Sequence, residues 1–235
     1  MQKEGWKKLG ILGVFAVAMA FLEAVVVIYL RKIFYPMGFD FPLKGFLNPF
    51  IWHIEWLREI ATIIILACIA MLAGKKVHEK LAYFMFSFAV WDIFYYIWLK
   101  AALGWPSSLM AWDLLFLIPW SWVSPVLAPL IISLTFIALS LLMLEANAKL
   151  NTKELLLFIF GSLAVIYTFL YDYGKIIISG GFAKDFFSLA ASPEFGVAVS
   201  NYAPTSYNWV IFALGEALIL LSCGLFYLRN FGKKK

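Results

Sequence analysis

The sequence predicts an all-α, polytopic transmembrane bundle of six spans, with short interfacial or re-entrant helices on the outer face. Three observations lead there. The 235 residues are 64% hydrophobic and only 14% charged, with a mean hydropathy of +0.89. A soluble domain carries about 25% charged residues, so this chain has too little polar surface to cover a core in water. Second, six apolar runs reach the roughly 20 residues needed to cross a bilayer. Third, the basic residues fall alternately between those runs, as topology signals do.

The runs are 9–31, 51–74, 79–103, 123–145, 152–179 and 207–229, within a single membrane domain, 1–235. Each must be helical, because open strands would leave backbone N–H and C=O groups unpaired in hydrocarbon. The first has the outline of a signal peptide, Lys7 and Lys8 followed by an apolar stretch. The apolar character continues to Leu30, so it is expected to stay as a span. One side holds Lys3, Lys7, Lys8, Lys75, Lys76, Lys80, Lys149, Lys153, Arg229 and Lys233 to Lys235. The other holds Arg31, Lys32, Lys44, Lys100, Lys175 and Lys184. This two-to-one bias predicts a plasma (inner) membrane protein with both termini in the cytoplasm.

The connections differ in the same sense. Those on the basic side are short, whereas the outer ones are long and aromatic. Segment 32–50 reads as interfacial, broken by Pro36, Pro42 and Pro49. Within 104–122, the apolar stretch 109–118 is too short to span; with Ser107 or Ser108 as cap and Pro119 as stop, it reads as an interfacial or re-entrant helix. Segment 180–206, rich in small residues, reads as a cap.

Charged residues within spans mark the candidate chemistry, because their burial in lipid is costly. At about 1.5 Å per residue, Glu23, Glu59, Asp92 and Glu216 share a depth on the order of 12–14 Å below the outer boundary. Alone, each could serve as a structural hydrogen-bonding group. Four at one level on four helices point to a binding site for a proton or cation. Glu55 and Arg58 share a helix side with Glu59, and Arg58 is expected to neutralise Glu55, Glu59 or Asp92. A second group comprises Tyr95 and Tyr96 above Asp92, Asp113 in the short outer helix, an Asp172/Lys175 pair, and His53 near the top of its helix. Eight of the ten tryptophans also fall toward the outer side, where an ordinary aromatic belt would decorate both interfaces.

Several chemistries lack their residues. Two histidines on opposite sides cannot hold a haem between them. Two cysteines, Cys68 and Cys223, read as buried free thiols and cannot build an iron–sulfur or zinc site. Neither a P-loop nor a dinucleotide fingerprint is present. The basic residues form no stripe for nucleic acid. An oxygen-ligated divalent cation is compatible with the carboxylates. The run WDIFYYIWLKAALGWPSSLMAWDLLFLIPWSWVSPVLAP (91–129) resembles a segment of uncharacterised multi-pass prokaryotic membrane proteins. The resemblance covers that run alone and implies no activity.

Three functional classes remain open on the residues. The first is proton- or cation-linked handling of a small or amphiphilic solute in a carboxylate-lined extracytoplasmic cavity. The second is a membrane enzyme acting on a lipid-like substrate at the outer leaflet, its carboxylates serving as acid/base groups. The third is an accessory subunit of a larger membrane complex, such as a respiratory one. Expected partners are membrane lipid, a small-molecule or ion ligand, and in the third case other proteins.

Overall fold

A computed structural model describes residues 3–43, 48–184, 189 and 192–232. Among these residues are six helices long and apolar enough to cross a membrane, so the chain is a multi-pass transmembrane bundle. They are α1 (Lys3–Phe34), α2 (Pro49–Ala73), α3 (Val77–Leu103), α4 (Leu127–Ala146), α5 (Thr152–Ser179) and α7 (Trp209–Phe231), with a short α6 (Pro193–Ser200) before the last. Lys44 and Lys233 to Lys235, which contributed to the charge count, lie outside the described residues.

Helix ends follow local chemistry. The Asn48 side chain accepts from the Phe50 N–H at 2.8 Å and Pro49 opens α2, where its missing N–H costs nothing. Asn151 and Glu154 cap α5 reciprocally. Asn208 accepts from Ile211 at the start of α7. Gly104, at φ 69°, ends α3 in the left-handed conformation that a Cβ would oppose. At the basic end, Asn147 accepts from Lys76 and lies 3.1 Å from the His78 ring, tying the α2–α3 and α4–α5 turns together. His78 belongs to the first turn of α3.

Two close seams divide the bundle into walls. Ala16, Ala20 and Ala24, all fully buried, let α1 approach α3. Gly161 and Gly215 do the same for α5 and α7: a Cβ on either would stand 2.6–2.8 Å from the other's carbonyl oxygen. The α5–α7 pair is also tied at the basic end, where the Arg229 guanidinium donates to both Glu154 oxygens at 2.7 Å. One wall is therefore α1–α2–α3 and the other α5–α7, with α4 packed between α3 and α7.

The main correction concerns segment 109–118. It forms no helix but the first arm of a two-stranded antiparallel hairpin, β1 (Trp112–Leu114) with β2 (Val123–Pro125), in register Asp113 to Ser124. Further hydrogen bonds, such as Leu115 N–H to Trp122 carbonyl and Leu127 N–H to Leu109 carbonyl, extend the pairing at both ends. Periodicity cannot distinguish a short apolar run in a strand from one in a helix, and the aromatic side chains here favour a pleated, packed surface. Because β2 takes residues 123–125, the fourth span starts at Leu127 rather than Val123. The hairpin is nonetheless re-entrant: its turn reaches Glu59, ten residues or roughly 15 Å below the start of α2.

Three smaller differences follow. α1 runs from residue 3 to 34, beyond the 9–31 expected. The segment expected as an irregular cap holds α6, capped by Ser192. Both cysteines are free, but only Cys223 is buried; Cys68 lies on the bundle surface.

The glycine seam sets a stability test. Gly161→Ala and Gly215→Ala should each lower thermal stability in detergent by an amount equivalent to about 1–3 kcal/mol. Gly224→Ala on the same α7, where an added Cβ meets nothing within 4 Å, should leave it unchanged.

Candidate functional site

Between the two walls lies a cavity of about 340 Å³. It is bounded at the aromatic end by Tyr35, Phe39, Leu43 and Trp52, with α6 residues Phe195 and Val199 beside them. Along α5 its lining runs from Tyr173 to Ser162, about 16 Å of helix. The hairpin residues Leu114 to Leu117, Ser121 and Trp122 form part of its wall.

The cavity is two-faced. On the α1–α2–α3 side it is lined by Glu23, Glu55, Arg58, Glu59 and Asp92, with Tyr95 and Tyr96 above them. The α4–α5–α7 side offers Ile132, Phe136, Val165, Ile166, Phe169 and Ile219, relieved by the hydroxyls of Ser133, Ser162 and, nearer the aromatic end, Tyr173.

Arg58 is the hub of the polar face. Its Nε and Nη2 donate to Glu55 Oε2 at 2.9 and 2.7 Å, and its Nη1 donates to Glu23 Oε1. Thr62 donates to the other Glu23 oxygen at 3.0 Å. Of the three partners expected for Arg58, only Glu55 is bonded to it; Glu23 takes the second position. Glu59 turns instead to the hairpin, where its Oε2 accepts the Leu117 backbone N–H at 2.7 Å. Asp92 Oδ2 accepts from Ser133 of α4 at 2.8 Å.

Observed helix ends place Glu23, Glu59 and Asp92 at a common depth, on the order of 15–17 Å from the aromatic end. Glu216 differs. It lies seven residues, roughly 10 Å, into α7 and does not line the cavity. Thr135 of α4 donates to its Oε1, while Oε2 is buried without a partner among the described residues. Three of the four carboxylates predicted at one level therefore share the cavity, and the fourth lies between α4 and α7.

The second-tier residues divide similarly. Asp113 is fully buried at the base of the hairpin, where Arg31 donates to it at 2.9 Å. The Arg31 guanidinium is held between the rings of Phe39 and Trp105, at 4.0 and 3.8 Å. Burial pushes the Asp113 carboxyl up from its ordinary range, and the Arg31 charge pulls it back down. Asp172 and Lys175 are not an ion pair: Asp172 accepts from Tyr202 at 2.6 Å and Lys175 is exposed. The cause is geometric, since Tyr202 arrives from the segment after α6 and takes the carboxylate. His53 is exposed and lies 2.6 Å from the Pro49 carbonyl, outside the cavity.

Sequence reasoning missed the hydroxyls of Thr62, Ser133 and Thr135, which hold carboxylates in place. Their signal was available, as polar residues inside apolar spans close to the acidic level. The Leu117 N–H left no trace, because a backbone donor has no letter of its own. Among the described residues, no group of three or more His, Cys, Asp or Glu side chains converges as a metal site.

Fold and site together define a six-span α-helical membrane protein with an internal cavity whose polar face comes from its first three helices. Compared with protein-family models, curated proteins and solved structures, the chain matches none.

Two substitutions probe this wiring. Arg58→Ala leaves Glu23 and Glu55 uncompensated and should destabilise by about 3–5 kcal/mol, read as loss of thermal stability in detergent. Glu59→Leu orphans the buried Leu117 N–H at a cost of about 1–3 kcal/mol. Glu59→Gln keeps an acceptor there, so backbone hydrogen exchange across the hairpin should accelerate in the Leu variant only.

Proposed function

We propose that the protein takes a small or amphiphilic solute into this cavity, and that binding is linked to a proton or cation at Glu59 and Asp92. One observation carries the reading: a single cavity joins a carboxylate-rich face to an apolar face at membrane depth. Ligand cavities are mainly apolar with a few placed polar groups, and ionisable residues within a bilayer mark solute or ion pathways. Glu59 and Asp92 each commit one oxygen to the protein. Their remaining oxygens are available to an occupant.

In this reading the basic end faces the cytoplasm of the plasma membrane, supported by the twelve Lys and Arg on that side against six opposite. The cavity then opens toward the extracytoplasmic side, between aromatic side chains whose apolar bodies and polar tips suit a membrane interface. An amphiphile would arrive from the outer leaflet or the adjoining water.

Native mass spectrometry of protein extracted in mild detergent tests this. A retained lipid, small molecule or ion is expected in the wild type and should be lost in Asp92→Asn, which preserves size while removing charge. Retention of the same ligand in that variant would place its site elsewhere. Stoichiometric partner proteins would move the complex-subunit reading forward, and turnover of a lipid-like molecule would favour the enzyme.

A further inference from the structure

The charge balance of the cavity narrows the class of solute. Four carboxylates line it, from Glu23 on α1, Glu55 and Glu59 on α2, and Asp92 on α3. Arg58 is the cation among them, and it is already bound to two. The other cavity arginine, Arg31, is committed to Asp113. The facing α4, α5, α6 and α7 linings contribute no Asp, Glu, Lys, Arg or His, only hydroxyls such as Ser133 and Tyr173. Among the described residues, Glu59 and Asp92 are therefore acidic groups at membrane depth with no basic side chain bonded to them.

Aromatic rings surround that surplus. The Trp91 ring lies 5.5 Å from Phe88, 6.3 Å from Tyr95 and 6.1 Å from Phe116 on the hairpin, all four lining the cavity. Ring faces attract cations, more strongly where water is excluded. Trp91 adds a separate observation that points to a ligand. It is 4% exposed, it lines the cavity, and its indole N–H meets no acceptor among the described residues. Buried donors are nearly always satisfied, so a molecule bearing an acceptor beside its charged centre would complete it.

We propose that the cavity is a binding site for amphiphilic organic cations, whose charged centre is held by Glu59 and Asp92 within the Trp91, Tyr95 and Phe116 rings. This rests on the solute-binding reading above and adds the sign of the solute's charge. The apolar body of the molecule lies against Phe136, Val165 and Phe169 on the opposite wall. A divalent metal fits less well, since no three acidic side chains converge among the described residues. Protons and the organic cation compete for the same carboxylate oxygens, so occupancy by one opposes occupancy by the other. The coupling needs no further group.

The sign of the linkage is fixed. A cation favours the ionised carboxylates, so affinity rises with pH wherever the empty site still holds a proton and falls as the solution is acidified. For one proton displaced per cation, the change is up to tenfold per pH unit.

The test compares near-isosteric probes of different charge with the full-length protein in detergent. Equilibrium dialysis is run in separate samples with tetraphenylphosphonium, tetraphenylborate and neutral tetraphenylsilane, which share four phenyl rings, carry no hydrogen-bonding group and differ in charge. Tetraphenylphosphonium should bind at least about tenfold more tightly than either of the others. Its affinity should fall as the solution is acidified, by up to about tenfold per pH unit, and Asp92→Asn should weaken it about tenfold. The pH series on the wild type is a readout that does not depend on the folding of Asp92→Asn. Equal or tighter binding of the neutral or anionic probe overturns the cation assignment while leaving the solute-binding reading intact. Absence of binding by all three, with no retained ligand in the native mass spectrum, overturns both.

Discussion

A backbone that enters hydrocarbon must bring its hydrogen-bond partners with it, because no water is there to supply them. The hairpin at residues 109–127 meets this constraint in three ways. Its arms pair with each other through β1 and β2 and the flanking bonds. Its turn places the Leu117 N–H against Glu59. The Trp120 and Trp122 indoles donate to the carbonyls of Leu170 and Ile118. Helices on both sides shield the ribbon from lipid, and the space beside it is the cavity. Glu59 thus has two duties, as an acceptor for the hairpin and as part of the polar face.

The rest of the bundle follows from supporting that insertion. Arg31 and Asp113 fasten the base of the hairpin to α1, with the guanidinium held between two aromatic rings. Trp122 stacks on Phe169 of α5 at 5.9 Å between ring centres, so the ribbon touches the opposite wall as well. The alanine seam of α1 with α3 and the glycine seam of α5 with α7 keep each wall thin and closely packed. Close backbone approach substitutes for the hydrophobic driving force that helices lack when they associate in lipid.

Much of the fold was legible because its determinants are compositional. Six apolar runs gave six helices, with ends displaced by a few residues where caps such as Asn48 and Asn151 decided them. The depth argument grouped Glu23, Glu59 and Asp92, because position along a straight helix converts directly into depth. It failed for Glu216 twice over: α7 begins at Trp209, which leaves that residue only roughly 10 Å in, and depth says nothing of azimuth, which turns it toward Thr135. The hairpin was misread as a helix because LMAWDLLFLI has no period that separates the two, and its strand pairing depends on residues nine to thirteen positions away. Asp172 and Lys175 looked like partners at helical spacing, yet Tyr202 arrived from beyond α6. Local spacing ranks neighbours on one element only.

The tryptophan distribution has an optical consequence. Trp52, Trp91 and Trp122 line the cavity, and Trp98, Trp105, Trp112, Trp120 and Trp209 belong to the same end, while Trp6 belongs to the basic end. Intrinsic fluorescence of the intact protein is therefore a report on one end of the molecule. A quencher confined to the leaflet at that end would dim most of the emission, and the same quencher in the other leaflet would leave most of it. The chain carries its own gauge of which way it lies in a membrane, without a label.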